Sequence, residues 1–266
     1  MYSRKQEKKR MIDIHSHILP NIDDGAKNTE MSLEMAQSYI ENGYTEVIAT
    51  PHWIEYGGTP KRERVIEVLS SFKKRLEVEG MDLKIHLGNE FFITPNLLQY
   101  IEEKEGATLN NSDYVLVELP MREYPQYVES VLFDLQLKGY KPIIAHPERY
   151  SFYREDPNRL RKLIEKGIYA QMNFPSIAGQ YGKEVQKAAE TFLKHNLIHL
   201  AGTDSHSNRR RSPKVKEAVK LVKDIVGEDE LHAMTISRPA KIIANEEFVV
   251  KEPEEVKRKK WFQFWR

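Results

Sequence analysis

Seven short β-rich runs, each trailed by a stretch of helical periodicity, constrain the fold of this chain more than any other feature. The runs are MIDI (11–14), EVIAT (46–50), KIHLG (84–88), YVLVE (114–118), PIIAH (142–146), YAQMN (169–173) and LIHLAG (197–202). Most are near-continuous apolar stretches, the pattern of parallel strands covered on both faces. Between the first two, TEMSLEMAQSYIEN (29–42) spaces Met31, Met35, Ala36 and Ile40 at helical intervals, and Gly43 stops it. Segments 61–79, 95–104, 126–138, 157–166, 182–195 and 213–226 read the same way. This βα repetition predicts an α/β fold, a (β/α) barrel, with an open doubly wound sheet as the alternative. A barrel of this kind needs ~250 residues, so it fills a chain of 266.

Charge and composition exclude several functions. Lys plus Arg (41) and Asp plus Glu (40) leave a net charge of +1, which gives no argument for nucleic acid. Without cysteine there is no disulfide, no thiolate metal site and no cysteine nucleophile, and a cytoplasmic location fits. No apolar run reaches the ~18–20 residues of a membrane span. The basic start MYSRKQEKKR (1–10) reads as a disordered arm, and 11–250 as the catalytic unit. The end (251–266) runs from acidic into basic residues and then Trp261, Phe262, Phe264 and Trp265. Such a tail suits weak contact with an anionic membrane surface, and packing back on the barrel or a partner is the competing reading.

The residues at the end of each strand carry the chemistry. Strand one ends in His15 and His17, strand two in His52, strand three in Glu90, strand four in Glu118. Strand five ends in His146, strand six in Asn173, strand seven in Asp204 and His206. In a (β/α) barrel these ends converge on the face where active sites are built. Strand alternation places the imidazoles of I-D-I-H-S-H on one side, and T-D-S-H offers a carboxylate and an imidazole in the same way. Five histidines and three carboxylates exceed the three protein ligands of a catalytic zinc, so the natural reading is two or three metal ions. Mixed imidazole and carboxylate ligands suit Mn, Fe, Zn or Co. Clustered metals favour hydrolysis, particularly of phosphate esters. The other histidines (His86, His195, His199, His232) read as structural.

Arginines fit a phosphate substrate. Arg149 comes three residues after His146 in H-P-E-R, and Arg209, Arg210 and Arg211 come soon after His206. A guanidinium fork matches a phosphate bidentately, although arginine runs are mostly solvated. Asp23 and Asp24, in P-N-I-D-D-G-A, are candidates to orient a ligand histidine or simply to form a turn. His206 is a candidate both as a ligand and as a group assisting departure of the leaving oxygen.

The segments M-I-D-I-H-S-H-I-L-P-N-I-D-D-G, A-T-P-H, G-N-E-F-F-I-T-P, V-L-V-E-L-P, I-I-A-H-P-E-R-Y and G-T-D-S-H together resemble the PHP (polymerase and histidinol phosphatase) superfamily. Within it they resemble the bacterial metal-dependent protein-tyrosine phosphatases of capsule and exopolysaccharide operons, over about residues 11–245. The resemblance implies a distorted (β/α)7 TIM-like barrel and a trinuclear, usually manganese (Mn2+) centre. The ligands it implies are His15, His17, His52, Glu90, Glu118, His146, Asp204 and His206, with Arg149 and Arg211 binding phosphate. It implies hydrolysis of phosphotyrosine on a bacterial tyrosine autokinase and its substrates. The competing readings are a small-molecule phosphatase such as histidinol phosphatase, a superfamily phosphodiesterase, a cyclic amidohydrolase, and a non-catalytic metal-binding module that docks a kinase. Glu118 and Asn173 stand where an amidohydrolase typically has lysine and histidine.

Overall fold

The computed structural model describes residues 10–209 and 211–257. The basic arm up to residue 9, Arg210 and the aromatic tail residues lie outside the described residues. Among the described residues nine strands run in parallel: β1 (Met11–Ser16), β2 (Tyr44–Ala49), β3 (His52–Trp53), β4 (Lys84–Leu87), β5 (Glu90–Phe92), β6 (Tyr114–Glu118), β7 (Lys141–Ala145), β8 (Tyr169–Asn173) and β9 (Leu200–Gly202). They form two sheets, β1-β2-β4 and β3-β5-β6-β7-β8-β9.

The two extra strands are continuations of β2 and β4 past a break. Pro51 interrupts the first, since proline has no N–H for a ladder. Gly88 and Asn89 interrupt the second, and Asn89 Nδ2 donates to the Pro51 carbonyl at 2.8 Å, tying the two breaks together. A Cβ on Gly88 would lie 2.9 Å from Ile48 Cγ2, so only glycine allows this close approach.

A continuous closed barrel, expected from the βα count, is not what the described strands form; their ladders make two parallel sheets. The interruption between β1 and β9 has a chemical cause. Among the described residues, the backbone bridges of this seam lie at the site end. There the Asp204 N–H donates to the His15 carbonyl and the His17 N–H to the Ser205 carbonyl, both at 2.9 Å. Further down, the Asp13 carboxylate stands in for the ladder. Its Oδ1 accepts from the His15 N–H (3.2 Å) and the Thr203 N–H (3.1 Å), and its Oδ2 from the Tyr39 hydroxyl (2.7 Å) and the Thr203 hydroxyl (2.5 Å).

Helix Thr29–Glu41 illustrates how local sequence sets the packing. The Asn28 side chain caps it by accepting from the Met31 N–H at 2.9 Å. Ser32, Met35, Ala36 and Tyr39 form its buried face, at intervals of three, one and three residues. Gly43, at φ 87°, turns the chain into β2. Inside the strands, Ile14, Ile48, Leu116, Ile143 and Leu200 form a buried cluster completed by Leu109, Ile242 and Phe248. Each such side chain contributes about 1.5–3 kcal/mol on burial. Phe248 stacks on Tyr114 with ring centroids 5.5 Å apart. From there the described end of the chain runs past His195 to Asn158, whose side-chain amide brackets the Val256 backbone.

Candidate metal centre

The strand ends bring all eight candidate ligands into one cluster. His52 opens β3, Glu90 opens β5 and Glu118 closes β6. His146 and Asp204 come after β7 and β9 in the left-handed region, at φ 32° and 49°. Neither is glycine, and each conformation costs about 1–3 kcal/mol, a strain that persists where surrounding contacts enforce it. On β1 simple alternation fails. Asp13 faces the Tyr39 helix and Ile14 the interior cluster, yet His15 also enters the site, because the β1–β2 register shifts between Asp13 and Ser16.

Glu90 is the hub. Its Oε2 lies 3.2 Å from His15 Nε2, 3.4 Å from His17 Nε2 and 3.1 Å from His52 Nδ1, and its Oε1 3.1 Å from His146 Nε2. Asp204 Oδ1 lies 3.5 Å from His15 Nε2 and 3.4 Å from His17 Nε2. Glu118 lies 3.7 Å from His52 and 3.6 Å from His146. Donor atoms converge in four overlapping groups: His17–Asp24–His52–His206, His15–Glu90–His146, His15–His17–Asp204 and His52–Glu90–Glu118.

Asp24 is therefore close enough to ligate as well as orient, which its place in an ordinary turn did not reveal; its Oδ1 is 3.2 Å from His206 Nε2 and 3.4 Å from His52 Nε2. Asp23 Oδ2 pairs with His17 Nδ1 at 2.6 Å and also accepts the His52 N–H. Gln171 Oε1 lies 2.7 Å from His15 Nδ1. These contacts fix the tautomers that aim both Nε2 atoms inward. Sequence reasoning missed Gln171 and Asp13. Gln171 sits mid-strand among apolar residues, where alternation with Asn173 was the available signal. Asn173 itself donates to Asp204 Oδ2 at 2.7 Å.

The electrostatics suit cations. Burial would neutralise Glu90 and Asp204, but the imidazoles around them hold both well below the usual carboxylate range. Burial and the neighbouring Glu90 charge push Glu118 up to about 8. His146 is pulled down to about 4 by burial and by Arg149, and burial and His17 also lower His206. Neighbouring carboxylates outweigh burial at His15, His17 and His52 and raise all three, His52 to about 10. A neutral imidazole is the form that ligates, so ions held there would take the place of those protons. His52 Nδ1, Glu90 Oε2 and His206 Nε2 are buried and make no hydrogen bond. Hard carboxylate oxygens, borderline imidazoles and orphaned donors fit divalent ions of the Mn, Fe, Co or Zn type.

Both candidate arginines reach the cluster. Arg149 Nη1 and Arg211 Nη2 donate to Asp204 Oδ2 at 3.1 and 2.7 Å. Arg209 is exposed. The four histidines read as structural lie elsewhere. His86 pairs with Glu46 at 2.7 Å, and His195 Nδ1 bonds the Thr191 carbonyl. His199 is fully buried, accepts the Ala170 N–H on Nδ1, and is held at about 3 by burial and by Arg238. Unfolding raises this value toward ~6.5, so His199 costs nothing above that pH and destabilises progressively as pH falls toward 3. At pH 5 the cost is about 2 kcal/mol. His199→Asn, which keeps the acceptor and cannot titrate, is expected to lose less stability between pH 7 and 5 than the wild type in urea unfolding. Equal losses would remove His199 as the cause.

A family model for capsular polysaccharide synthesis, CpsB/CapC, matches residues 11–244. The chain belongs to the CpsB/CapC family. Among its relatives, the tyrosine-protein phosphatase YwqE of Bacillus subtilis is 37% identical over 257 residues, covering 96% of this chain and all of that protein. The solved structure described as YwqE from Bacillus subtilis and CpsB from Streptococcus pneumoniae, unique metal-dependent tyrosine phosphatases, superposes with a TM-score of 0.89 at 35% identity, covering 93% of this chain and 100% of that one. Histidinol phosphate phosphatase from Lactococcus lactis shares the fold alone, at 17% identity and a TM-score of 0.54, over 81% of this chain and 94% of that one. Among the described residues of this CpsB/CapC member, no helix is long and apolar enough to cross a membrane.

Proposed function

We propose that this protein is a metal-dependent protein-tyrosine phosphatase acting on a bacterial tyrosine autokinase and its substrates in capsular or exopolysaccharide synthesis. The observation that carries this reading is the overlap of the ligand groups. His15, His17, His52 and Glu90 each belong to two of them, beside two arginines gathered on one aspartate. Shared donors suit two or three clustered ions, and manganese is the ion proposed, with Fe, Co and Zn as alternatives. The eight candidate ligands, with Asp24, are the residues that would hold them. The finer fold reading is a distorted seven-stave barrel, supported by the bridges that join β1 to the segment after β9. The proposed location is the cytoplasm, at the membrane surface when the tail engages it.

Bound ions supply Lewis acidity and neutralise phosphoryl charge. The chain's own groups do the rest. Arg149 and Arg211 present N–H groups at the rim and exchange Asp204 Oδ2 for phosphoryl oxygens when substrate arrives. As a water oxygen bonds to phosphorus in line with the departing tyrosyl oxygen, the charge that spreads over the phosphoryl oxygens meets the two guanidinium groups. The departing tyrosyl oxygen is a phenolate of pKa ~10, a fair leaving group that needs little acid catalysis. His206, at the edge of the cluster, is the candidate for any such assistance, although burial and His17 favour its neutral form and so its role as a ligand.

Metal-stripped protein with Mn2+ restored is expected to release phosphate from a phosphotyrosine peptide, and a His15→Ala, His17→Ala double variant is not. Histidinol phosphate is the comparison substrate. Turnover of that compound alone would move the function to small-molecule metabolism. No turnover with any metal would favour a kinase-docking module.

A further inference from the structure

Tyr181 lies outside the proposed ligand set and beside both arginines. It sits in the turn between helix Phe174–Ile177 and helix Lys183–Lys194, flanked by Gly179 at φ 77° and Gly182 at φ 95°. These two positions need the left-handed region, and glycine reaches it without strain. The turn is closed by the Gln180 N–H on the Pro175 carbonyl (3.0 Å) and the Gly182 N–H on the Gly179 carbonyl (3.1 Å). A second tie locks it to the arginine-bearing segment. The fully buried Glu148 accepts from the Ser176 hydroxyl at 2.6 Å and the Asn173 N–H at 3.0 Å. Arg149 is the next residue. The Tyr181 ring then stands 4.8 Å from Arg149 Cζ, a cation–π distance.

Two donors here lack acceptors. The Tyr181 hydroxyl and Arg211 Nε are both buried with no acceptor in hydrogen-bond geometry, although the Arg211 guanidinium stands within donor reach of the Tyr181 oxygen. Arg211 is an electrostatic neighbour of Tyr181. A buried donor without a partner costs free energy unless an acceptor arrives. Two such donors beside the Asp204-bound guanidinium groups define a place short of acceptor oxygens. A phosphoryl group carries several.

We propose that Tyr181 is a phosphate-binding residue whose ring holds the Arg149 guanidinium in place and whose hydroxyl donates to a phosphoryl oxygen. This rests on the phosphatase reading for its substrate, but the phosphate contact can be measured without turnover.

The experiment is calorimetric titration of inorganic phosphate into Mn-loaded full-length protein, beside kinetics on a phosphotyrosine peptide. Tyr181→Phe keeps the ring and loses the donor. It is expected to weaken phosphate binding roughly 10-fold and raise KM more than it lowers kcat, with metal content and melting temperature unchanged. Tyr181→Leu also releases Arg149 and is expected to lose roughly 30-fold or more. Wild-type affinity in Tyr181→Phe overturns the hydroxyl contact, and equal affinities in the two variants overturn the ring's hold on Arg149. Wild-type protein that binds phosphate but leaves phosphotyrosine intact refutes the substrate assignment, and the titration still decides the role of Tyr181.

Discussion

Glu90→Gln is expected to give a folded protein that has lost about 10³-fold or more in kcat/KM on a phosphotyrosine peptide. Four imidazoles meet its two oxygens at 3.1–3.4 Å, more than meet any other carboxylate of the site. It belongs to two of the four candidate ligand groups, so one substitution would disturb two of the proposed ion positions. The amide is nearly isosteric, which limits packing loss, but it carries no charge and one of its two terminal atoms cannot ligate. Three readouts check the outcome: kcat/KM, metal per protein after dialysis, and the rise in melting temperature on adding Mn2+. That rise measures binding to the folded state, so it should shrink in the variant. Full metal content with more than a tenth of wild-type activity would remove Glu90 from the proposed set.

Asp13→Ala is expected to destabilise the metal-free protein by about 3–5 kcal/mol, one of the largest losses available outside the proposed ligands. Burial raises the Asp13 carboxyl, opposed by hydrogen bonds from Thr203, Tyr39 and His15. Removing it orphans two backbone N–H groups and leaves the Tyr39 and Thr203 hydroxyls with each other at 2.7 Å beside a hole, and each buried orphan costs about 1–3 kcal/mol before relaxation. Asp13→Asn should fall between alanine and wild type, because one oxygen still accepts while its NH2 faces other donors. Urea unfolding monitored by far-UV CD measures the difference. A loss below about 1 kcal/mol in Asp13→Ala would show that the β1–β9 seam holds without it.

The parallel strands and the major helices were legible because parallel strands buried on both faces read as apolar runs, and an amphipathic helix such as 29–41 repeats its apolar positions. The candidate ligands were legible for a different reason: chemistry placed after each run breaks the apolar pattern. The breaks at Pro51 and Gly88 were less visible. Each interrupts a strand for two residues, and the cross-link that makes them cooperate, from Asn89 to the Pro51 carbonyl, spans 38 positions. The same limit hid Asp13. In I-D-I-H-S-H its alternation pointed toward the histidine side, and only the register shift turns it toward Tyr39. Gln171 read as a strand residue like its neighbours because its partner, His15, lies 156 positions away. The Arg211 backbone carbonyl accepts the His206 and Ser207 N–H groups, a turn that spacing did not reveal.

The seam between β1 and β9 also sets an order of events during synthesis. Asp13 and Thr203 stand 190 positions apart. When a ribosome has joined residue 200, six of the eight proposed ligands exist, and Asp204 and His206 do not. Phe248, which completes the cluster inside the strands, comes later still. The nascent chain therefore carries a half-built array of imidazoles and carboxylates, with Asp13 lacking the Thr203 donors that later satisfy it. Contacts of such long sequence separation form late. The full set of proposed ligands accordingly exists only in the finished chain, and metal binding at the proposed centre would follow closure of this seam.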